Sequence, residues 1–176
     1  VERDVRQIVN VQDLHSFQVF LRMCAARCGQ LLNLSGLASD CGIAVNTAKG
    51  WLSVLEASYI VFLLHPHHAN FGKRLIKTPK IYFYDTGLLV NLLSIADESD
   101  IAIHALRGSI FESFVVSEAR KSLFNTGSMD TLYFWRDRAG LEVDLVMEHG
   151  PKLHAAEIKS GRTIGGDFFS SLAKWS

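Results

Sequence analysis

Residues 141–148 alternate in side-chain character at every position but Val146. Leu141, Val143, Leu145 and Met147 fall on one side; Glu142, Asp144, Val146 and Glu148 fall on the other. A period of two marks a β-strand with one face toward a core and one toward water. Such a strand needs partners, and the flanking sequence offers them. Apolar runs at 131–136 and 153–159 are separated from it by turn residues, Asp137-Arg138-Ala139-Gly140 and His149-Gly150-Pro151. Three sequential strands with short turns imply an antiparallel meander. A helical pattern precedes them, opening at Arg107-Gly108 and stopped by Asn125-Thr126-Gly127, and Asp167 caps a last helix from Phe168 to Trp175. Residues 101–176 thus read αβββα.

The first hundred residues are mainly helical. An apolar-periodic run through Phe17, Phe20, Leu21, Cys24 and Cys28 predicts one helix within residues 1–30, ended by Gly29. Ser35–Asp40, a turn at Gly42, and Val45 or Asn46 through Glu56 read as helix, turn, helix. Asn46 or Thr47 caps the second helix, and Ala48, Trp51, Leu52 and Leu55 form its inner stripe. Strands at Tyr59–Leu64 and Lys80–Tyr84 make a hairpin around a polar loop, and Asp85-Thr86-Gly87 opens a short helix. Helix–turn–helix followed by a hairpin is the order of a winged helix. Residues 96–105 are polar and poorly patterned, which places a domain boundary there. The expected class is α+β: a helical winged-helix unit over 1–100, then an αβββα unit over 101–176.

Chemistry concentrates near the C-terminus. Asp144 is followed after twelve residues by Glu157-Ile158-Lys159. On a strand Glu157 and Lys159 share a face, so two carboxylates and an ammonium converge. Mg²⁺ prefers oxygen ligands and commonly takes one or two protein carboxylates. Two close carboxylates repel, so one of them has a raised pKa unless a cation is bound. Lys159 can then neutralise charge growing on a phosphate. Glu112 and Glu118 fall in the helix arc of Phe111, Phe114, Val115 and Ala119, and acids in an apolar stripe need a partner. Lys159, Arg136, Arg138 or a metal could serve. Without a metal, the same residues make structural ion pairs.

Lysines plus arginines number 18, as do aspartates plus glutamates, and each half about Arg107 holds nine of each sign. The whole-chain field therefore favours no polyanion, and nucleic-acid contact must rest on local patches. Asn46, Thr47, Lys49 and Ser53 line the outer face of the second helix of the pair. Lys73, Arg74, Lys77 and Lys80 give the hairpin loop four cations, suited to phosphates of duplex DNA. Three cysteines form no even framework and read as reduced core thiols in a cytoplasm. His65, His67 and His68 read as a polar turn beside Pro66. Trp51, Trp135 and Tyr84 read as core. No apolar run is long enough to span a membrane.

Asp144, Glu157-Ile158-Lys159 and the helix bearing Gly108-x-x-Phe111-Glu112 resemble the PD-(D/E)xK nuclease superfamily, with its restriction-endonuclease-like fold. The resemblance implies Mg²⁺ held by Asp144 and Glu157, with Lys159 and Glu112 assisting catalysis. It also implies a module truncated before the next strand of the sheet. A wider resemblance runs through Glu2-Arg3-Asp4-Val5, Gly29-Gln30-Leu31-Leu32-Asn33, Trp51-Leu52-x-x-Leu55-Glu56, Tyr82-Phe83-Tyr84-Asp85-Thr86-Gly87-Leu88, Phe134-Trp135-Arg136 and Glu157-Ile158-Lys159-Ser160-Gly161. These residues are similar to the C-terminal part of a prokaryotic family. Its members carry an N-terminal P-loop ATPase of the AAA type before a domain of unknown function. G-x-x-x-x-G-K-[ST] does not occur here. The resemblance therefore implies an ATPase domain outside this sequence as partner, with ATP bound only there. Three functions stay open: a Mg²⁺-dependent nuclease, a non-catalytic DNA- or protein-binding module, or an oligomerisation domain with structural ion pairs.

Overall fold

A computed structural model describes residues 13–67, 77–161, 163, 165 and 168–175. The fold is α+β, in the order α1 (Leu14–Ala26), α2 (Leu34–Asp40), α3 (Val45–Ala57), β1 (Val61–Leu64), β2 (Lys80–Phe83), α4 (Thr86–Leu92), α5 (Glu98–Ile103), α6 (Arg107–Thr126), β3 (Thr131–Arg136), β4 (Glu142–His149), β5 (Lys152–Ala156) and α7 (Ser170–Trp175).

Helix ends follow local chemistry. Asp13 and Asn33 cap α1 and α2 by accepting from Ser16 N and Gly36 N. Asp85 accepts from Gly87 N at 2.7 Å and Leu88 N at 3.1 Å, opening α4. Asp85→Ala is expected to cost about 1 kcal/mol in a urea melt, the usual worth of such a cap. Gly127, at φ +63°, ends α6 in the left-handed conformation that glycine adopts without penalty. Neither Asn46 nor Thr47 caps α3. Its N-cap is Ala44, which offers no side-chain acceptor, and both polar residues lie inside the first turn. Residues 96–105 are more ordered than their pattern predicts: Asp97 accepts from Ser99 N and Asp100 N and starts α5.

β1 and β2 pair antiparallel, Val61 opposite Phe83 and Leu64 opposite Lys80. β3, β4 and β5 form a second antiparallel sheet with β4 central and a register shift between Tyr133 and Trp135. The segment after β1 links the two sheets. Phe134 N donates to His65 O at 3.1 Å and His67 N donates to Phe134 O at 2.7 Å. The buried side chains make one core running from Phe17, Phe20 and Trp51 through Tyr82 and Phe83 to Val116, Phe134 and Leu145. Helix α6 packs on β2, α4 and α5, so the long helix touches the N-terminal hairpin. Arg120 reinforces that seam. Its guanidinium stands 4.8 Å from the Phe62 ring centre and 5.3 Å from that of Phe124, and its Nε donates to the Tyr84 hydroxyl at 3.0 Å.

Several expectations need correction. β4 is buried on both faces, not one: Val143, Asp144, Leu145 and Val146 are all buried. β5 ends at Ala156, so Glu157 to Lys159 leave the strand instead of continuing it. In α6 the buried stripe is Ile110, Ser113, Val116 and Ser117. Phe111 and Phe114 are exposed, and Glu118 pairs with Lys121 at the surface. Trp135 is only half-buried. Cys24, Cys28 and Cys41 are buried free thiols, and burial pushes Cys28 up to about 11. Residues 1–12, His68, Lys73, Arg74 and Asp167, and whatever was expected of them, lie outside the described residues.

Candidate acidic site

Four elements meet at one buried polar cluster. Helix α6 supplies Glu112, β4 supplies Glu142 and Asp144, the segment leaving β5 supplies Glu157 and Lys159, and β2 supplies Lys80 and Tyr82. Carboxylate oxygens of Glu112, Glu142 and Asp144 lie within 4.8 Å of one another. Alternation along β4 explains part of this, since Glu142 and Asp144 are two residues apart and share a face.

Lys80 is 2% exposed. Its Nζ donates to Glu112 Oε1 at 2.9 Å and lies 2.5 Å from Glu142 Oε1. Burial pulls against its charge, but Glu112 and Glu142 outweigh that and hold its pKa above the ordinary lysine value. The Tyr82 hydroxyl donates to the same Glu112 oxygen. Burial first, and the Glu112 charge second, keep that phenol protonated well above its usual range. Arg136 Nη1 donates to Glu142 Oε2 at 3.0 Å across the β3–β4 pair. The partner for which Glu112 was expected to look to Lys159, Arg136 or Arg138 is thus Lys80, with Tyr82. Lys80, expected among the phosphate-binding cations, is an interior counter-ion.

Asp144 is in a different position. Its Oδ2 accepts from Ile158 N at 2.7 Å. Its carboxyl is pushed up to about 6, chiefly by burial; the Ile158 amide lowers it, while the charges of Glu112 and Glu157 raise it. Glu157 is close by. One of its oxygens accepts from Lys159 Nζ. The other, Oε2, is buried with no hydrogen-bond donor among the described residues, and the side chain is 5% exposed. An unpaired buried carboxylate oxygen is costly. Burial also opposes charge on Lys159, but the Glu157 hydrogen bond and the charges of Asp144, Glu157 and Glu112 raise its pKa overall.

The structure therefore gathers Asp144, Glu157, Lys159 and Glu112 into one cluster. It adds Glu142, which carried no expected role, and Lys80, which was expected on phosphates and not among the acids. Both had a signal: Glu142 precedes Asp144 by two on an alternating strand, and Lys80 is the charged residue of the run Lys80-Ile-Tyr-Phe. The acids whose oxygens lie close enough to share one ion are Glu112, Glu142 and Asp144. Lys80 already engages the first two, and Glu157 Oε2 is left without a donor among the described residues.

The second set of expected contacts lies elsewhere. Asn46, Thr47, Lys49 and Ser53 are all exposed along α3, opposite the buried Ala48, Trp51, Leu52 and Leu55. Lys77 is exposed before β2. His65 and His67 contact Phe134 through backbone, and the His67 ring packs edge-on to Tyr133.

A domain model described as Domain of unknown function (DUF8612) matches residues 1–99. The chain belongs to this family. A second model, Domain of unknown function (DUF4143), matches residues 107–176. The chain is also similar to two uncharacterized proteins, one of Mycobacterium bovis and one of Mycobacterium tuberculosis. Each is 33% identical over 163 residues, covering 93% of this chain and 36% of the relative. The chain thus spans about a third of the length of these relatives. No solved structure matches. No helix among the described residues is long and apolar enough to cross a membrane.

Proposed function

We propose that this chain is the C-terminal module of a prokaryotic, cytoplasmic ATP-binding protein of the AAA type, and that its acidic cluster hydrolyses phosphodiesters with Mg²⁺. The observation that carries the proposal is Glu157 Oε2, buried and without a donor among the described residues, beside an Asp144 carboxyl raised to about 6. Asp144 and Glu157 would hold the ion. When bound, it supplies Lewis-acid stabilisation of phosphate charge and a more acidic water. The remaining roles belong to the chain. Lys159, kept protonated by its acidic neighbours, acts as a cation toward the phosphate and not as a base. Glu112, fixed by Lys80 and Tyr82, sets the negative potential behind Asp144. DUF4143 domains usually stand at the C-terminus of AAA-ATPase proteins, which supports the wider assignment.

In this reading residues 1–100 are a winged-helix unit and residues 101–176 a nuclease-like unit. The α2–turn–α3 order followed by the β1–β2 hairpin supports the first. The exposed Asn46, Thr47 and Lys49 would enter a major groove, with Lys77 on phosphates. The order α6-β3-β4-β5, with acids on the helix and middle strand, supports the second. Incubation with plasmid DNA and Mg²⁺ tests the activity. Lys159→Ala is expected to lower the cleavage rate at least about 100-fold, as lost transition-state stabilisation does, while calorimetric Mg²⁺ or Mn²⁺ affinity stays near the parent's. Equal cleavage by parent and variant would remove Lys159 from the mechanism.

One observation favours a second reading, a non-catalytic binding module. Lys80 already neutralises Glu112 and Glu142, so part of the cluster is satisfied without an ion. On that reading, divalent titration gives no heat, and duplex DNA still shifts in a gel with a steep salt dependence.

A further inference from the structure

An open cleft of about 690 Å³ shares Lys159 with the acidic cluster, and none of the cluster's carboxylates lines it. Helix α6 forms one wall, with Arg107, Phe111 and Phe114 at spacings of four and three that align them on one face. Val90 of α4 and Ile101 of α5 complete the apolar floor. Phe111 is 40% exposed and Phe114 47%, unusual for phenylalanines on a helix that has a buried stripe of its own. The charged residues among those lining the cleft are Arg107 and Lys159, and none of the lining residues is acidic. Arg107 is held in place by donating to Ala102 O at 3.3 Å and Ser160 O at 2.5 Å. Two exposed rings beside two fixed cations match an anionic chain that carries flat aromatic groups.

We propose that this cleft binds unpaired nucleotides of a single-stranded segment, with bases against Phe111 and Phe114 and the backbone along Arg107 and Lys159. The inference rests on the phosphodiester reading above, because Lys159 is shared by cleft and acidic cluster. A phosphate at Lys159 would then have its neighbouring base over the rings. Duplex DNA presents no free base face, so the cleft selects frayed, looped or single-stranded substrate. Base–aromatic stacking tolerates any base, which makes the preference structural and not sequence-specific.

Fluorescence anisotropy with the full chain in EDTA tests binding without cleavage. The probes are a labelled oligothymidylate, an abasic oligomer of equal length and charge, and a duplex. Expected is tighter binding of the oligothymidylate than of the abasic oligomer, with duplex binding through α3 left unchanged by substitution in the cleft. Phe114→Ala should weaken oligothymidylate binding about tenfold, within the range for a lost base stack, and Phe114→Trp should retain it. Equal affinity for the abasic oligomer overturns the proposal without needing any variant, as does an unchanged affinity in a folded Phe114→Ala protein. Failure of the hydrolytic reading shows separately, as stacking-dependent binding in EDTA with no cleavage once Mg²⁺ is supplied.

Discussion

Lys80→Met is expected to destabilise the protein by about 3–5 kcal/mol, seen as a large fall in the urea midpoint at neutral pH. Methionine keeps the stem and loses the ammonium. Glu112 and Glu142 would then stay largely buried, facing each other and Asp144 without their shared counter-charge, and only Glu142 would keep a cationic partner, Arg136. Removing one partner of a buried pair costs more than the pair contributes net, because the desolvation of the survivor is no longer offset. Adding Glu112→Gln and Glu142→Gln to the same chain is expected to recover most of the loss. The pH dependence has a definite sign. Lys80 has a folded pKa above 10.5, so its contribution is complete below that value and disappears as pH climbs through the folded pKa. The variant's deficit should therefore be flat from neutral pH to about pH 10 and shrink only beyond it. A loss under about 1 kcal/mol would mean the two glutamates are relieved by protonation, and the ion network is then misassigned.

Asp144→Asn is expected to move stability the other way while abolishing divalent binding. The Asp144 carboxyl sits at about 6 against 3.8 when unburied, so the native state holds a proton that the unfolded chain has released. Stability contributed by this group is therefore lost as pH rises from about 4 to about 6, and the full cost applies above that. The span corresponds to about 3 kcal/mol at most. Asparagine keeps an oxygen to accept from Ile158 N and removes the charge. Metal-free urea melts at pH 8 should thus show the variant more stable, with the difference vanishing near pH 4. Mg²⁺ should stabilise only the parent, and only above about pH 6, because a protonated carboxyl does not ligate. A variant less stable than the parent at pH 8 without metal would show that the carboxylate is well solvated or paired where it sits.

How far the sequence could be read depends on the kind of signal. Period-two alternation located β4, and turn residues located the hairpins to within two residues. Gly127 and Asp85 marked helix ends because their roles are local. What alternation could not show is that β4 is covered on both faces; that depends on where α7 and the N-terminal half pack. The wheel of α6 misplaced its buried stripe for the same reason. Two serines face inward and two phenylalanines outward, because the neighbour is β2 and not a broad apolar sheet. Lys80 was read as a loop cation because nothing local distinguishes a buried lysine from an exposed one. Its partners stand 32 and 62 positions along the chain.

Those separations carry a consequence for inheritance. Lys80 falls within the stretch matched by one family model, and Glu112 and Glu142 fall within the stretch matched by the other. Neutrality of the interior is shared between them. A recombinant that joined the second stretch to a foreign first one would import acids and leave their base behind. Electrostatics alone would favour passing the two stretches on together, as a single heritable block.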